Sequence, residues 1–499
     1  MNLSKCLIAN RGEIAVRIIR ACRELDIRPV AVYSEIDVNA RHVKLADQAY
    51  LIDASDGYLN GAALIEIARQ AGCDCVHPGY GFLSENETFA QRVIDAGLIW
   101  IGPPPDAIRR MGIKTEARAL MEAAGVPLVP GYQDDENGFY DAAERIGYPI
   151  MVKAAGGGGG KGIRIVSRAA DLPDALDSAR SEAQHAFGDP RLFLERYVER
   201  ARHVEIQVLA DQHGHTVHLF ERECSAQRRH QKVIEESPSP LLDDETRAKM
   251  GAAGVAAAQA VGYVNAGTVE FIVTPGDEPH GEFYFLEMNT RLQVEHPVTE
   301  FVTGLDLVKL QFAIAAGEPL PFAQSDLTQR GHAIECRLYA EDPRSGFLPA
   351  VGDLLRFHPP EGVGVRVDSG VQSGDRITIH YDPMIAKIIV YERTRAAAIQ
   401  RMDAALRDTV ILGTTTNLSF LRALINHPAF AAGKVDTSFI ERHFDELISP
   451  EPLLTDAALI AAALEELLLQ EQIGSAKATA EPSADPWARA DHFRIGAAR

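Results

Sequence analysis

The sequence predicts an α/β segment followed by α+β segments, and three observations carry that expectation. Strand-like and helix-like stretches alternate over about the first hundred residues, which indicates a doubly wound parallel sheet. A run of glycines, Gly156 to Gly160, stands between two strand-like stretches, Ile150-Met-Val-Lys153 and Ile163-Arg-Ile-Val166. From Glu287 onward polar residues (Glu287, Asn289, Arg291, Gln293, Glu295) alternate with Met288, Thr290, Leu292 and Val294. In an extended chain successive side chains point to opposite faces, so the polar set is expected on one side of a strand.

In chain order, Lys5 to Ala9 reads as a short buried strand, and Asn10-Arg-Gly-Glu13 turns into a helix from Ile14 to Leu25, with Ile14, Ile18, Ala21 and Cys22 at helical spacing. A strand at Pro29 to Tyr33, a helix at Ala62 to Ala71 and a strand at Cys75 to His77 follow. The turn after the first strand lacks G-x-G-x-x-G, which argues against a dinucleotide site there. His77-Pro-Gly-Tyr-Gly-Phe-Leu-Ser-Glu-Asn86 forms a loop at a strand's carboxyl end, where ligands of open α/β sheets sit. Lys114 opens a helix that Gly125 and Pro127 close.

The glycine run contains a formal G-x-G-x-x-G match, but a strand follows it where a dinucleotide fold needs a helix. Nor is it a P-loop, because Ala155 and Gly162 stand where glycine and Ser or Thr are required. Strand, glycine loop, strand describes a lid whose bare N–H groups, at Gly158, Gly159 and Gly160, can close over phosphates, with Lys153 just ahead of it.

Leu192 to Val198 is a strand carrying Glu195, and in His203 to Leu209 the side chains of His203, Glu205 and Gln207 share a face. After a strand at Thr216 to Glu221, the stretch Arg222 to Lys232 holds four basic side chains plus His230, a cluster suited to an anion in an otherwise acidic chain. Thr268 to Ile272 carries Glu270 between apolar neighbours. Glu270 and Glu287 supply two carboxylates, with Asn289 as a further hard oxygen donor, for Mg²⁺ carrying a triphosphate. The forked guanidinium of Arg291 suits a planar oxyanion.

The 499 residues and net charge of −20 leave no basic excess for nucleic acid. Six scattered cysteines show no C-x-x-C pair, so neither a zinc site nor a disulfide framework is indicated and a reducing, cytoplasmic setting is expected. No stretch approaches the ~20 apolar residues of a membrane span.

Taken together these stretches resemble the ATP-grasp superfamily and, within it, biotin carboxylase. The likeness rests on IANRGEIAVRIIRA (Ile8 to Ala21), HPGYGFLSEN (His77 to Asn86), KAAGGGGGKG (Lys153 to Gly162), RHVEIQVLAD (Arg202 to Asp211), QRRHQK (Gln227 to Lys232), EMNTRLQVEHPVTE (Glu287 to Glu300), RGHAIECRLYAEDP (Arg330 to Pro343) and YDPMIAK (Tyr381 to Lys387). It implies a doubly wound N-terminal domain over 1–113, an ATP-grasp domain over 114–330 with a glycine-rich lid at about 131–203, a C-terminal biotin carboxylase domain over 331–446, and a helix, linker and start of a further region over 447–499.

The implied chemistry is ATP- and Mg²⁺-dependent carboxylation of carrier-bound biotin by bicarbonate, through carboxyphosphate, with Mn²⁺ as an alternative ion. Carried over residue by residue, Lys114, Lys153 and His203 contact ATP; Glu195 and Val198 border the adenine; Gln227, His230 and Glu270 line the nucleotide site; Glu270, Glu287 and Asn289 hold the metal. Lys232, Arg291, Gln293 and the backbone of Val294 grip bicarbonate, Glu295 is the base that deprotonates it, and Arg337 stabilises the biotin enolate. A surface ion pair of Glu295 with His296 is the competing reading. The resemblance also implies a homodimer or larger complex, a biotin carboxyl carrier, and a carboxyltransferase acting on an acyl-CoA or, alternatively, on pyruvate or another 2-oxoacid. No Met-Lys-Met acceptor turn occurs in the sequence, so the chain is expected to be either a fragment of a longer subunit or a partner of a separate carrier. Beyond a helix at Asp456 to Gln470 and an Ala/Ser/Pro linker, the final residues resemble the next region of acyl-CoA carboxylase alpha subunits.

Overall fold

The computed structural model describes residues 3–133, 138–155, 163–274, 282–448 and 456–478. Gly158, Gly159 and Gly160 of the expected lid, and the final residues, lie outside the described residues. The chain divides into two units, Met1–Ile448 and Ser449–Arg499.

The first unit begins with five parallel strands, β1 (Lys5–Ile8), β2 (Arg28–Tyr33), β3 (Gln48–Leu51), β4 (Cys75–His77) and β5 (Ile99–Trp100), in the order β3-β2-β1-β4-β5. The order reverses between β1 and β4, the doubly wound arrangement expected. The inner strands β1 and β4 are buried along their whole length, whereas the edge strand β3 is half-exposed. Helix Gly12–Glu24 lays Ile14, Ile18, Ala21 and Cys22, all buried, against one side of the sheet. Helices Gly61–Gln70 and Glu87–Asp95 each start at an asparagine whose side chain accepts an amide hydrogen of the first turn, Asn60 from Ala63 and Asn86 from Phe89, both at 2.8 Å.

Four strands then form a small antiparallel sheet, β6 (Gly131–Tyr132), β7 (Ile150–Ala154), β8 (Arg164–Val166) and β9 (Leu192–Arg196), in the order β6-β9-β7-β8. Helices Phe139–Ile146 and Leu172–Phe187 share its core, which includes Phe139, Ile150, Val152, Leu176 and Leu194.

The largest sheet has eight antiparallel strands. Its N-terminal part comprises β10 (Arg202–Ala210), β11 (Thr216–Arg228), β12 (Gln231–Ser237), β13 (Asn265–Val273) and β14 (Phe283–Asn289). It continues through β15 (His332–Tyr339), Met384–Glu392 and Val365–Ser369. Because β12 pairs directly with β15, placing Glu235 opposite Glu335, one ladder runs across position 330. All nine residues of β10 and all eight of β15 are buried, so the polar face of this sheet is also internal.

Three local expectations change. The strand predicted to continue to Glu295 ends at Asn289: the Thr290 amide leaves the ladder and donates to Glu85, and helix His296–Thr303 begins with Pro297 in its first turn. The strand expected at Thr216 to Glu221 extends to Arg228 and turns back as β12, so Arg222 to Lys232 lies in a hairpin. Within it Arg222 is fully buried, its Nε donating to Glu205 at 2.5 Å, which removes it from any anion-binding cluster. In the second unit the helix spans Asp456–Ala478, past the Gln470 expected, because Gln, Glu, Lys and Ala continue to favour helix. Among the described residues no helix is long and apolar enough to cross a membrane, and all six cysteines are free and buried.

One buried carboxylate carries a stability prediction. Asp211 accepts the backbone amides of His213, His215 and Leu320 at 2.8–2.9 Å and lies 2.8 Å from His215 Nδ1. Burial pushes its pKa up, but these donors outweigh burial and bring it down to about 2. Asp211→Ala should cost about 1–3 kcal/mol in urea unfolding at pH 7, the penalty of unsatisfied buried donors. Since the folded pKa is depressed, the Asp211 contribution is present above about pH 4 and fades as pH falls toward 2, and the gap between variant and wild type should shrink over that window.

Candidate active site

The small sheet, the helix starting at Lys114 and β14 enclose a cleft of about 300 Å³. Lys114, Lys153, Glu195, Glu287 and Asn289 line it, against an apolar wall that includes Leu128, Phe193 and Phe285. Glu195, on β9, holds two cations: Lys153 Nζ at 2.5 Å and Arg118 Nη1 at 2.8 Å. Lys114 is exposed to the cleft, and desolvation by its walls lowers its pKa. The cleft thus presents Lys114, Lys153 and Arg118 together with the Glu287 carboxylate and the Asn289 amide, a set suited to a polyphosphate and its cation.

Next to it lies a buried network of alternating charge. Lys232, at the start of β12, donates from one Nζ to Glu205 at 2.5 Å, Glu295 at 2.6 Å and Glu270 at 2.8 Å. Glu205 and Glu270 face each other across β10 and β13, and Glu270 faces Glu287 across β13 and β14, so ladder register sets these carboxylates side by side. Glu295 is fully buried in the turn before helix His296–Thr303, and its second oxygen accepts from Arg337 Nη2 at 3.0 Å. Arg337 also donates through Nε to Glu235 at 2.6 Å. His296 turns away, its Nδ1 lying 2.8 Å from the Gln293 carbonyl, so the competing surface pair with Glu295 is absent.

The charges follow from these contacts. Burial opposes every ion here, but three carboxylates hold Lys232 well above the usual lysine range, and Lys232, Arg337 and Arg222 hold Glu295 well below the carboxylate range. Glu270 is likewise depressed by Lys232 and His203 against the effect of burial. Glu287, whose side chain is exposed to the cleft, differs: desolvation by the surrounding walls and the neighbouring Glu270 charge push its pKa up. Only Glu270 of the two has cations against it; Asn289 donates from Nδ2 to Glu270 at 2.9 Å and offers Oδ1 to Arg291, so Glu287 beside the Glu270 carboxylate and the Asn289 amide supplies the hard-oxygen set that fits a divalent cation such as Mg²⁺.

Beyond Asn289 the backbone is no longer a strand, yet its polar side chains still converge. Arg291 donates to Asn289 Oδ1 at 2.9 Å, to Gln293 Oε1 at 3.0 Å and to Glu85 Oε2 at 2.9 Å, and Gln293 Nε2 reaches Glu270 at 3.3 Å. His203 Nε2 lies 3.0 Å from Glu270 Oε2. Gln227 is buried and faces Lys232 across the hairpin, His230 is exposed at its turn, and Val198 is half-buried beyond β9; none of the three lines the cleft. Sequence reasoning assigned no site role to Glu205, Glu235 or Glu85. The alternation of β10 hinted at Glu205, but ladder partners such as Glu235 left no local signal.

A cleft bordered by Lys153 on β7 and Lys114 at the start of a helix, with Glu270 and Glu287 paired on adjacent antiparallel strands, is the arrangement of an ATP-grasp enzyme. Three stretches match known families: "Biotin carboxylase, N-terminal domain" over residues 2–108, "Carbamoyl-phosphate synthase L chain, ATP binding domain" over 114–323, and "Biotin carboxylase C-terminal domain" over 335–442. The chain is 52% identical to biotin carboxylase 2 of Bacillus subtilis, over 88% of this chain and 99% of that protein. It is 48% identical to the mitochondrial methylcrotonoyl-CoA carboxylase subunit alpha of Dictyostelium discoideum, over 99% of this chain and 70% of that one. Among solved structures, the biotin carboxylase domain dimer of Hydrogenobacter thermophilus 2-oxoglutarate carboxylase, bound to MgADP, ADP and bicarbonate, superposes with a TM-score of 0.85 at 45% identity, covering 90% of this chain and 100% of that one. The chain belongs to the biotin carboxylase family.

Proposed function

We propose that this chain carboxylates carrier-bound biotin with bicarbonate at the expense of ATP, as the first half-reaction of an acyl-CoA carboxylase. The observation that carries this reading is Lys232 and Arg337 closing on the two oxygens of one buried carboxylate, Glu295, beside the lysine-lined cleft. Likeness to the bicarbonate-bound 2-oxoglutarate carboxylase domain also supports it.

In this reading Lys114, Lys153 and the lid glycines hold the ATP phosphates, with Glu195, Val198, His203, Gln227 and His230 around the rest of the nucleotide. Glu270, Glu287 and Asn289 hold Mg²⁺, which neutralises phosphate charge when bound. Bicarbonate enters against Lys232, Arg291, Gln293 and the Val294 amide. By sharing Lys232 with the substrate, Glu295 loses part of the field that depresses its pKa and becomes basic enough to take the bicarbonate proton. The freed oxygen then attacks the γ-phosphorus, ADP leaves, and carboxyphosphate forms. Its breakdown gives CO₂ and phosphate, the phosphate removes the biotin N1′ proton, and Arg337 stabilises the enolate while N1′ attacks CO₂. A homodimer, a biotin carboxyl carrier, a carboxyltransferase and a cytoplasmic site of action complete the proposal. The likeness to a domain dimer and to acyl-CoA carboxylase alpha subunits supports the partners. Likeness to the biotin carboxylase subunit of a pyruvate carboxylase supports a second reading, in which the final acceptor is a 2-oxoacid.

The test is ADP release by the purified chain with Mg·ATP, with and without bicarbonate and free biotin. Wild type should require bicarbonate and be stimulated by biotin. Arg337→Ala should lose the biotin stimulation while keeping part of the bicarbonate-dependent turnover. Wild-type ADP release indifferent to both compounds would favour a ligase acting on a different carboxylate.

A further inference from the structure

Lys387 has no part in the reaction as described, yet it is a lysine with no exposed surface, on the strand Met384–Glu392 opposite Arg337. Its Nζ donates to the Val294 carbonyl at 2.7 Å and lies 3.1 Å from Glu13 Oε1. Glu13 stands at the start of the helix after β1, and the same oxygen accepts the Tyr80 hydroxyl. Tyr80 follows β4 in a loop whose Pro78 and Tyr80 carbonyls both accept from Asn10 Nδ2 at 2.7 Å. One ammonium therefore ties together the three matched regions: the switch point of the parallel sheet, the turn that carries Glu295, and the C-terminal strand.

A buried lysine is costly unless its charge does something for the fold or the site. Burial pulls its pKa down, but Glu13, Glu335 and Asp368 outweigh this and keep it charged. The Val294 carbonyl belongs to the rigid peptide plane that ends at the Glu295 Cα. Glu295 follows at once, and helix His296–Thr303 begins behind it. Anchoring that plane fixes the direction in which the Glu295 side chain leaves the backbone. Neutralising Glu13 alone would not require a contact to Val294, whereas the 2.7 Å bond reaches the residue next to the base.

We infer that Lys387 is a positioning residue that pins the Val294–Glu295 peptide and so holds the Glu295 carboxylate between Lys232 and Arg337. This rests on the reading of Glu295 as the bicarbonate base. A displacement of the reacting groups by about 1 Å can cost on the order of 10²-fold in rate.

The test compares Lys387→Met with wild type in kcat and KM for bicarbonate and in Mg·ATP affinity by titration. The expected result is a fall of about 10–100-fold in kcat/KM for bicarbonate, with nucleotide affinity unchanged. An equal loss in nucleotide affinity, or wild-type bicarbonate kinetics, would overturn the role. Should the lone Glu13 charge prevent folding, the double variant Glu13→Gln/Lys387→Met removes both charges and carries the same expectation; failure of that variant to fold would assign Lys387 to folding alone and overturn the inference. Glu295→Gln in the same assay separates the two layers. If it retains bicarbonate turnover, the base assignment fails; if it is inactive while Lys387→Met behaves as wild type, only the positioning role fails.

Discussion

Glu295→Gln should lower bicarbonate-dependent ADP formation by about 10²–10⁴-fold, the usual contribution of a positioned general base. The amide keeps the shape of the side chain and an oxygen for Lys232 or Arg337, so neither folding nor Mg·ATP binding should change much. What it removes is the acceptor for the bicarbonate proton and one negative charge from a site where Lys232 Nζ meets three carboxylates. Bicarbonate KM should therefore change less than kcat, because the substrate anion meets less competition for Lys232 in the variant. A drop in KM-determined affinity with kcat intact would instead assign Glu295 to substrate binding.

Lys232→Met should have the largest combined effect. It leaves Glu205, Glu270 and Glu295 facing one another without their shared cation. Breaking a buried ion cluster in this way costs about 3–5 kcal/mol, and loss of the principal cation for bicarbonate should lower turnover by a further factor of about 10²–10³. The pH dependence separates this from a packing defect. In wild type Glu270 and Glu295 titrate below their ordinary range, so their stabilisation is present above about pH 4.5 and lost as pH falls. In the variant the same carboxylates gain a proton more readily, so the fold is favoured by acid and weakened as pH rises. The difference in thermal midpoint between wild type and Lys232→Met should accordingly narrow from pH 8 toward pH 5. A constant difference would point to packing.

Much of this arrangement was legible from local pattern. Apolar runs and helical spacing gave β4 at its observed bounds and the helix from Lys114, because those signals depend on neighbours a few residues apart. The polar alternation from Glu287 correctly singled out the side chains that converge, but for the wrong geometric reason. Beyond Asn289 they are gathered by a turn held by Glu85 and Lys387, contacts from 205 and 93 residues away. The basic stretch Arg222 to Lys232 failed as a unit for a related reason: hairpin pairing sends Arg222 into the core and Lys232 into the site. Glu205, Glu235 and Glu335 owe their roles or burial to ladder register, and no spacing within the chain reveals which strands pair.

The central claim is that a bicarbonate oxygen attacks ATP, and isotope transfer tests it most directly. With ¹⁸O-labelled bicarbonate, Mg·ATP and free biotin, the phosphate released should carry one labelled oxygen, because carboxyphosphate breaks at the C–O bond and leaves that oxygen on phosphorus. Phosphate without label, formed at the same rate in the same mixture, would show that water and not bicarbonate is the nucleophile and would contradict the assignment of Lys232, Arg291 and Glu295 to bicarbonate activation.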